Sequence, residues 1–339
     1  MKFTLEEDGM PKERGGPTMA DVAKEAGVAL GTVSRVVNGE PVGEPFKEKV
    51  LAAIARLGYK YNSSGRVLRT DETNTVAVIM PNTENPFFGE LVHHICMALG
   101  KRNRRMLLCL TENDRDRETE MIQMAQQNGV DGIISLTYNP DLTVPDNIPL
   151  VTIDRFFSVS VPCIAADNFG GGVLAAQKLR ELGCTRVAFL RAASELPTEP
   201  KKRKDGFVSA CVEMELPFEV KAIVEEKDSF DEFDRFLQEH MKDGHLTFDG
   251  LFIGTDSLAW HIIKKLRKMG VRIPEEVQVI GFDGIRMFGN QEYAVSTIAQ
   301  PLAEIAEASV NTVLSRHFST VPSLITLPVT YAKGWTTRD

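Results

Sequence analysis

The chain has 339 residues and a formal net charge of −8, and 43% of its residues are hydrophobic and 25% charged. These are ordinary values for a globular protein of two or three domains, and they exclude disordered and fibrous chains. No apolar run reaches the ~18 residues of a membrane span, and residues 1–16 lack the apolar core of a signal peptide, so we expect a cytoplasmic protein without a membrane partner. The five cysteines contain no C-x-x-C pair, which argues against a disulfide framework and against a metal site.

Charge is divided unevenly along the chain. Residues 17–70 contain eight basic and five acidic residues, whereas residues 71–339 carry a net charge of −10. A small basic segment on a large acidic body suggests a module that binds a polyanion, attached to a body that does not. Many solvated helical surfaces are equally basic, so the charge alone leaves the partner open.

The first 60 residues contain a pattern of three short helices. Thr18 is suited to cap a helix that ends at Gly27, and further helices are predicted from about Leu30 to Val37 and from about Phe46 to Leu57. A helix-turn-helix requires a small residue where its two helices touch, a glycine at the turn and a branched apolar residue in the second helix. The spacing of the first two predicted helices fits this requirement. A helical bundle without a ligand is the alternative.

The second predicted helix has a polar face that suits DNA. Its exposed positions are Leu30, Gly31, Thr32, Ser34 and Arg35. Short hydroxyl side chains and an arginine can donate to phosphates or base edges without colliding with the groove.

From residue 71 onward, apolar runs alternate with amphipathic segments. This rhythm predicts parallel sheets with helices on both faces, and the length suffices for two lobes. The predicted strands are Val76–Met80, Met106–Leu110, Gly132–Leu136, Leu150–Asp154, Val187–Leu190, Leu251–Gly254 and Val277–Phe282.

Polar and aromatic residues lie at or after the ends of several of these strands, where such folds bind ligands. They are Phe87, Phe88, Asp154, Arg155, Thr255, Asp256 and Asp283. Carboxylates and an arginine can bind sugar hydroxyls while aromatic rings stack on the C–H faces of the ring. Helix capping for the aspartates and core packing for the phenylalanines are the structural alternatives.

An enzyme that uses a dinucleotide is the principal alternative function. Gly170, Gly172 and Ala175 fit the G-x-G-x-x-A fingerprint. Asp167 or Asn168 caps a helix just before these three residues, so the fingerprint falls inside that helix. Small side chains there let the helix approach the sheet. No other catalytic motif is present, and we expect neither catalysis nor a cofactor. A periplasmic sugar-binding protein fits the body but not the helix-turn-helix or the absent signal peptide.

Two segments of the head, ADVAKEAGVALGTVSRVVNG and EKVLAAIARLGYKYN, closely resemble the DNA-binding domain of the lactose/galactose repressor (LacI/GalR) family. In the body, Arg203 fits R-x-x-G-F and Asp283 lies in VIGFDG, which resemble the family's effector-binding arginine and aspartate. The resemblance runs from Thr18 to about Val329 and is strongest to the sucrose- and ribose-operon repressors.

This resemblance implies a homodimeric repressor of carbohydrate-utilisation genes that binds double-stranded operator DNA and is controlled allosterically by a sugar or sugar phosphate between two lobes. The implied DNA contacts are Thr18, Leu30, Gly31, Thr32, Ser34, Arg35, Asn38, Asn62 and Leu68. The implied effector contacts are Phe87, Phe88, Asp154, Arg155, Arg203, Thr255, Asp256 and Asp283.

The predicted fold is therefore α/β, an N-terminal three-helix head followed by a two-lobed parallel-sheet body like that of periplasmic binding proteins. We expect a flexible leader over 1–16, the head over 17–61, a hinge over 62–70 and the effector and dimerisation domain over 71–339. Lobe one is predicted at about 71–164 and 297–320, and lobe two at about 165–296 and 321–339. No heptad helix follows Val329, which favours a dimer over a tetramer.

Overall fold

A computed structural model describes residues 17–37, 40–59, 73–136, 147–155, 158, 160–193, 198–224, 229–286, 292–293 and 295–339. These residues belong to two compact units that divide at residues 71 and 72. The predicted leader over 1–16 and the hinge over 62–70 lie outside the described residues, as do Asn38, Asn62 and Leu68.

The first unit, which we call the head, contains three helices with clear start and stop signals. Their bounds are Met19–Ala26 (α1), Leu30–Val37 (α2) and Glu44–Leu57 (α3). Thr18 and Asp21 form a capping box at the start of α1, and Gly27 ends that helix with a left-handed φ of 63°. Gly58 ends α3 in the same way. The predicted three-helix head is confirmed.

The head has a small apolar core because one stripe of each helix faces the centre. Val22, Val33, Val50 and Ala53 are fully buried there. The polar residues of α2 are therefore left on its outer face.

The body contains a first parallel sheet, the core of lobe one. Its strands run in the order β13, β5, β4, β3, β1, β2. Their bounds are Thr75–Met80 (β1), Arg105–Leu110 (β2), Gly132–Ser135 (β3), Leu150–Ile153 (β4), Cys163–Ala166 (β5) and Leu324–Leu327 (β13). The central strands are apolar on both faces because helices cover both. These helices are Pro86–Gly100 (α4), Arg115–Gln127 (α5) and Leu302–Val313 (α10).

A second sheet forms lobe two, with the order β14, β12, β11, β10, β6, β7. All its pairs are parallel except that of β12 with β14. The strands are Val187–Ala193 (β6), Phe218–Val224 (β7), Gly250–Ile253 (β10), Gln278–Asp283 (β11), Ser296–Ala299 (β12) and Thr330–Ala332 (β14). A separate two-stranded hairpin consists of Met241–Lys242 (β8) and His245–Leu246 (β9). The helices are Asn168–Glu181 (α6), Lys202–Glu213 (α7), Ser229–Glu239 (α8) and Asp256–Lys268 (α9).

The predicted lobe boundaries near 296 and 320 are wrong by a few residues. β12 pairs with β11 and so belongs to lobe two up to Ala299. β13 pairs with β5 and so returns the chain to lobe one as far as Leu327. Both are strands of only four residues, and a run this short shows no periodicity of its own. The chain passes between the lobes after β5, after β12 and after β13.

The glycines of the dinucleotide fingerprint lie inside α6, where they serve packing. Asp167 caps this helix by accepting from the Gly170 N–H at 2.8 Å. A Cβ on Gly171 would lie 2.7 Å from the Phe282 ring, and one on Gly172 would lie 2.1 Å from the backbone oxygen of Arg203. The glycine-rich stretch lets α6 contact both β11 and α7, so it is not the turn of a phosphate-binding loop.

Among the residues that the structure describes, no helix combines the length and the apolar character that a bilayer span requires. The same residues contain no cluster of three or more histidine, cysteine, aspartate or glutamate side chains placed to hold a metal ion.

Candidate functional site

Polar side chains converge where the strands of the two lobes end. Asp154 directly follows β4 of lobe one, and Asp283 is the last residue of β11 in lobe two. Asp256 begins α9 just after β10. Since Arg203 interacts electrostatically with all three aspartates, these groups from both lobes lie around one guanidinium.

Arg203 is the centre of this group, which we call the Arg203 cluster. Its side chain is only 3% exposed. Nε donates to Oδ1 of Asn168 at 2.7 Å, and Nη1 donates to the carbonyl oxygen of Gly254 at 2.5 Å. Nη1 also lies 3.6 Å from Oδ1 of Asp283, and the guanidinium lies 3.6 Å from the centre of the Phe282 ring. These contacts fix the guanidinium plane before any ligand binds.

Asp283 is buried and has two side-chain partners. Nε2 of Gln300 donates to its Oδ1 at 2.9 Å, and Nη1 of Arg203 lies 3.6 Å from the same oxygen. Burial raises the pKa of Asp283 to about 7, although the positive charge of Arg203 opposes that rise. Its φ of 125° is strained for a residue with a side chain, and such strain often marks a binding site.

Asp256 connects the cluster to the backbone that follows β11. Its Oδ2 accepts from the N–H groups of Gly284 and Ile285 at 2.9 and 2.8 Å. Burial, together with the charge of Asp283, raises its pKa well above the ordinary value. Thr255 caps α9 through its hydroxyl, which accepts from Leu258 N–H.

Asp154 extends the cluster into lobe one. It is 6% exposed and has a left-handed φ of 57°. Burial raises its pKa, whereas the charges of Arg203 and Arg155 lower it. An aspartate of lobe one and an arginine of lobe two therefore interact across the boundary between the lobes.

The aromatic candidates have a different environment. Phe87 and Phe88 lie at the start of α4 in the apolar core of lobe one, with ring centroids 5.5 Å apart in an edge-to-face arrangement. Core packing accounts for both rings, and their contact with a ligand stays a prediction.

Two members of the cluster, Asn168 and Gln300, are absent from the sequence-predicted effector residues. Each follows a strand of four residues, β5 or β12, that the apolar pattern did not identify. A polar residue directly after a short apolar run was the available signal.

On the head, the predicted DNA-contact residues of α2 form its outward face. Leu30, Gly31 and Arg35 are exposed, Thr32 and Ser34 are half-buried, and Val33 between them is buried. Thr18 has a defined structural role in the capping box of α1. Short side chains therefore surround one exposed guanidinium on this helix.

A separate surface recess of about 460 Å³ lies on lobe two. It is lined by Lys204, Asp205, Val208, Ser209 and Val220, from the solvent-facing side of α7 and the edge strand β7. Arg203 is on the buried side of the same helix.

The fold and the Arg203 cluster define a two-lobed ligand-binding protein with a helix-turn-helix head. Residues 18–62 match the model of bacterial regulatory proteins of the lacI family, and residues 73–333 match that of periplasmic binding proteins and the sugar-binding domain of the LacI family. The chain belongs to the LacI family of DNA-binding transcription regulators.

Two kinds of relatives are similar over nearly the whole chain. The sucrose operon repressor of Pediococcus pentosaceus is 32% identical over 94% of this chain and 99% of its own. The ribose operon repressor of Bacillus subtilis is 30% identical over 95% of this chain and 98% of its own. These matches agree with the subgroup that the sequence resembled.

Solved structures show the same architecture. The lac repressor dimer bound to operator and the anti-inducer ONPF is 22% identical to this chain. The match has a TM-score of 0.77 and covers 95% of this chain and 99% of that one, which is a likeness of fold. The complex of the transcriptional regulator CelR with cellobiose is 26% identical, with a TM-score of 0.65 over 94% of this chain and 99% of that one.

Proposed function

We propose that this protein is a homodimeric repressor of genes for carbohydrate use, in which a sugar bound at the Arg203 cluster changes the affinity of the head for operator DNA. The observation that carries the proposal is the buried cluster itself, in which Asp154 of lobe one and Asp283 of lobe two interact with one fixed guanidinium. Donors and acceptors in this arrangement suit the hydroxyl groups of a sugar. The relatives named as sucrose and ribose operon repressors support the substrate class.

In this proposal the protein binds its ligand without transforming it. It acts in the cytoplasm, where its operator lies. The glycine-rich stretch that suggested a dinucleotide enzyme is used in the contact of α6 with α7. Two heads related by the dimer axis would read the half-sites of a palindrome, with α2 in the major groove. Asn38, Asn62 and Leu68 stay proposed DNA contacts, and 62–70 stays the proposed hinge.

Arg35→Ala is expected to weaken operator binding by ~1–3 kcal/mol if the guanidinium reads a base, because Arg35 is exposed on the proposed recognition helix. Fluorescence anisotropy with labelled operator measures the change. Arg56→Ala is the matched control, since it removes the same charge from α3, where Arg56 pairs with Glu25 at 3.2 Å. Equal effects of the two substitutions would contradict the assignment of α2.

The structure also suggests how the cluster could influence the position of the lobes. Asp256 holds the backbone N–H groups of Gly284 and Ile285, and the side chain of Ile285 packs against the apolar core of lobe one. A ligand that shifts Asp256 would therefore shift an apolar contact between the lobes. The ligand site and the contact between the lobes would then be coupled through the segment of Gly284 and Ile285. Coupling of two sites through one structural element is the physical basis of allostery.

Ile285→Ala is accordingly expected to leave sugar affinity within about threefold of the original. It should reduce the change in operator affinity that the sugar causes, because the contact with lobe one is weakened. Val220→Ala, which shortens a side chain on the solvent-exposed edge of lobe two, is the control and should retain the full response. Operator titrations with and without sugar make the comparison. An Ile285→Ala protein that responds like the Val220→Ala protein would contradict this route.

The function as a whole is tested by thermal unfolding in the presence of monosaccharides and disaccharides, since a ligand that binds the native state raises the unfolding temperature. A sugar found in this way must then change operator affinity. If no sugar stabilises the protein, the proposed effector class is wrong.

A further inference from the structure

Strand β7 is the last strand of the second sheet. Its inner side pairs with β6 along the whole strand, from Phe218 to Val224, and no described strand pairs with its outer side. An edge strand of seven residues is a ready template for another strand, because it presents a row of N–H and C=O groups that have no partner in its own sheet. The outer edge of β7 therefore offers backbone hydrogen bonds to a second chain.

The backbone groups that point to this outer edge follow from one hydrogen bond. The carbonyl oxygen of Pro217 accepts from the N–H of Val187 in β6 at 2.9 Å. Since the backbone groups of successive residues in a strand point to opposite sides, those of residues 217, 219, 221 and 223 point to β6. The N–H and C=O groups of Phe218, Val220 and Ala222 therefore point outward.

The side chains of Phe218 and Val220 lie on the face of the sheet that α7 covers. The rings of Phe218 and Phe207 have centroids 6.4 Å apart. Val220 is 37% exposed and lines the recess of about 460 Å³ together with Val208 of α7. Val212, one turn further along α7, is 63% exposed. Outward-pointing backbone and exposed apolar side chains thus lie side by side at this edge.

The other face of β7 carries one negative and one positive side chain. Glu219 pairs with Arg186 at 2.6 Å and with His240 at 3.0 Å, and Lys221 pairs with Glu232 at 3.1 Å. Both side chains stay partly exposed. On neighbouring strands, opposite charges that face each other attract and like charges repel. The order Glu, Val, Lys therefore discriminates between the registers in which two copies of β7 could pair.

We propose that β7 pairs with β7 of a second copy, antiparallel and centred on Val220, and that this contact joins two dimers. Val220 then lies opposite its own copy, and Phe218 lies opposite Ala222. Both pairs exchange backbone hydrogen bonds, because their N–H and C=O groups point outward. The same register places Glu219 opposite Lys221 on the other face. A register centred on either charged residue would place two like charges opposite each other. The contact is two-fold symmetric and self-complementary.

This contact is separate from the two sites that the proposed function uses. The outer edge of β7 contains no side chain of the Arg203 cluster and no residue of α2. Substitutions at the edge should therefore leave sugar affinity and the binding of one dimer to one operator unchanged. The inference rests on the proposed dimer but not on the proposed effector. The contact needs no terminal heptad helix, and joined dimers would present heads to two operators at once.

Sedimentation velocity of the full chain, between about 1 and about 200 µM, measures the association of dimers. We expect the mass to rise reversibly above that of a dimer as the concentration increases. Val220→Lys places two positive charges opposite each other at the centre of the contact and should leave dimers at every concentration. Val220→Thr keeps a β-branched side chain and should associate like the original protein.

The thermal unfolding temperature of the Val220→Lys protein shows whether it is folded. An original protein that stays a dimer over the whole range would overturn the inference and leave the proposed function standing. Folded Val220→Lys protein that still forms species larger than a dimer, or that falls apart into monomers, would overturn it as well. An original protein that is a monomer at every concentration would contradict the proposed dimer itself.

Cysteine crosslinking tests the register. Val220→Cys places two thiols on residues whose Cα atoms are about 5.5 Å apart across the contact, which is within the range of a disulfide. Ala222→Cys is the matched control, because residue 222 lies on the same edge but about 14 Å from its own copy. Both variants also carry Cys96→Ser, which removes the exposed native cysteine.

With oxidised glutathione as the electron acceptor, the Val220→Cys protein is expected to form a crosslinked pair of chains on non-reducing gels, and the Ala222→Cys protein is not. Equal crosslinking of the two variants, crosslinking of the Ala222→Cys protein alone, or no crosslinking of either at 200 µM would contradict a contact centred on Val220.

Discussion

Replacing Arg203 or Asp283 by alanine is expected to weaken effector binding by about tenfold to a hundredfold, while DNA binding without effector is retained. Each substitution removes a charge-assisted hydrogen-bonding group from a buried site, a loss that typically costs ~1.5–3 kcal/mol. Arg203 also donates to Asn168 and contacts Asp283, so its removal takes one partner from each of these groups. Titration of the effector, followed by operator binding with and without it, measures both properties.

Lys204→Ala is the matched control for Arg203→Ala. Lys204 is the next residue of the same helix, but its side chain is exposed and pairs with Asp205 at 3.4 Å. The Lys204 variant should bind effector like the original protein. Unfolding curves without effector separate loss of binding from loss of folding. If folded Arg203→Ala and Asp283→Ala proteins both respond to sugar like the original, the effector site lies elsewhere.

Gly172→Ala is expected to destabilise the body by ~1–3 kcal/mol, the usual cost of overpacking. A Cβ on Gly172 would lie 2.1 Å from the carbonyl oxygen of Arg203 and 2.8 Å from the backbone nitrogen of Phe207, neither of which can rotate away. Helix α7 would have to move from α6, and with it the backbone of Arg203. We therefore expect weaker effector binding as well as a lower midpoint of urea unfolding.

Gly100→Ala provides the comparison. Gly100 ends helix α4, and a Cβ there would have no atom within 4 Å outside its own helix and chain neighbours. Alanine is the better helix former by up to ~1 kcal/mol, so this variant should be as stable as the original or slightly more stable. Equal urea midpoints for the Gly172 and Gly100 variants would show that the contact of α6 with α7 is not as close as described.

The parts of the fold that could be predicted from the sequence are those determined by local pattern. The capping box at Thr18 and the glycine that ends α1 are local features, and the head forms where they indicate. The longer apolar runs became β1 and β11 because a buried parallel strand is apolar on both faces. Short strands such as β5 and β12 are stabilised by pairing with distant segments, which no local pattern shows.

The candidate site was predictable only in part for the same reason. In the run Lys201 to Lys204, composition suggests one basic patch, but helix periodicity turns Arg203 inward while Lys202 and Lys204 face solvent. Arg203 came from resemblance to a family, whereas Asp283 was indicated both by that resemblance and by its place after the predicted strand Val277–Phe282. Asn168 and Gln300 enter the site because the chain passes between the lobes beside them, a consequence of topology rather than of local sequence.

Operator binding as a function of sugar concentration tests the central claim most directly. The operator is first selected from a library of palindromic DNA by the full chain, and its affinity is then measured by fluorescence anisotropy with each sugar that stabilises the protein. The account predicts binding to one palindrome well above binding to unrelated DNA, and a change of that affinity by about tenfold or more at saturating sugar. Operator affinity that is identical with and without a sugar shown to bind the protein would contradict it.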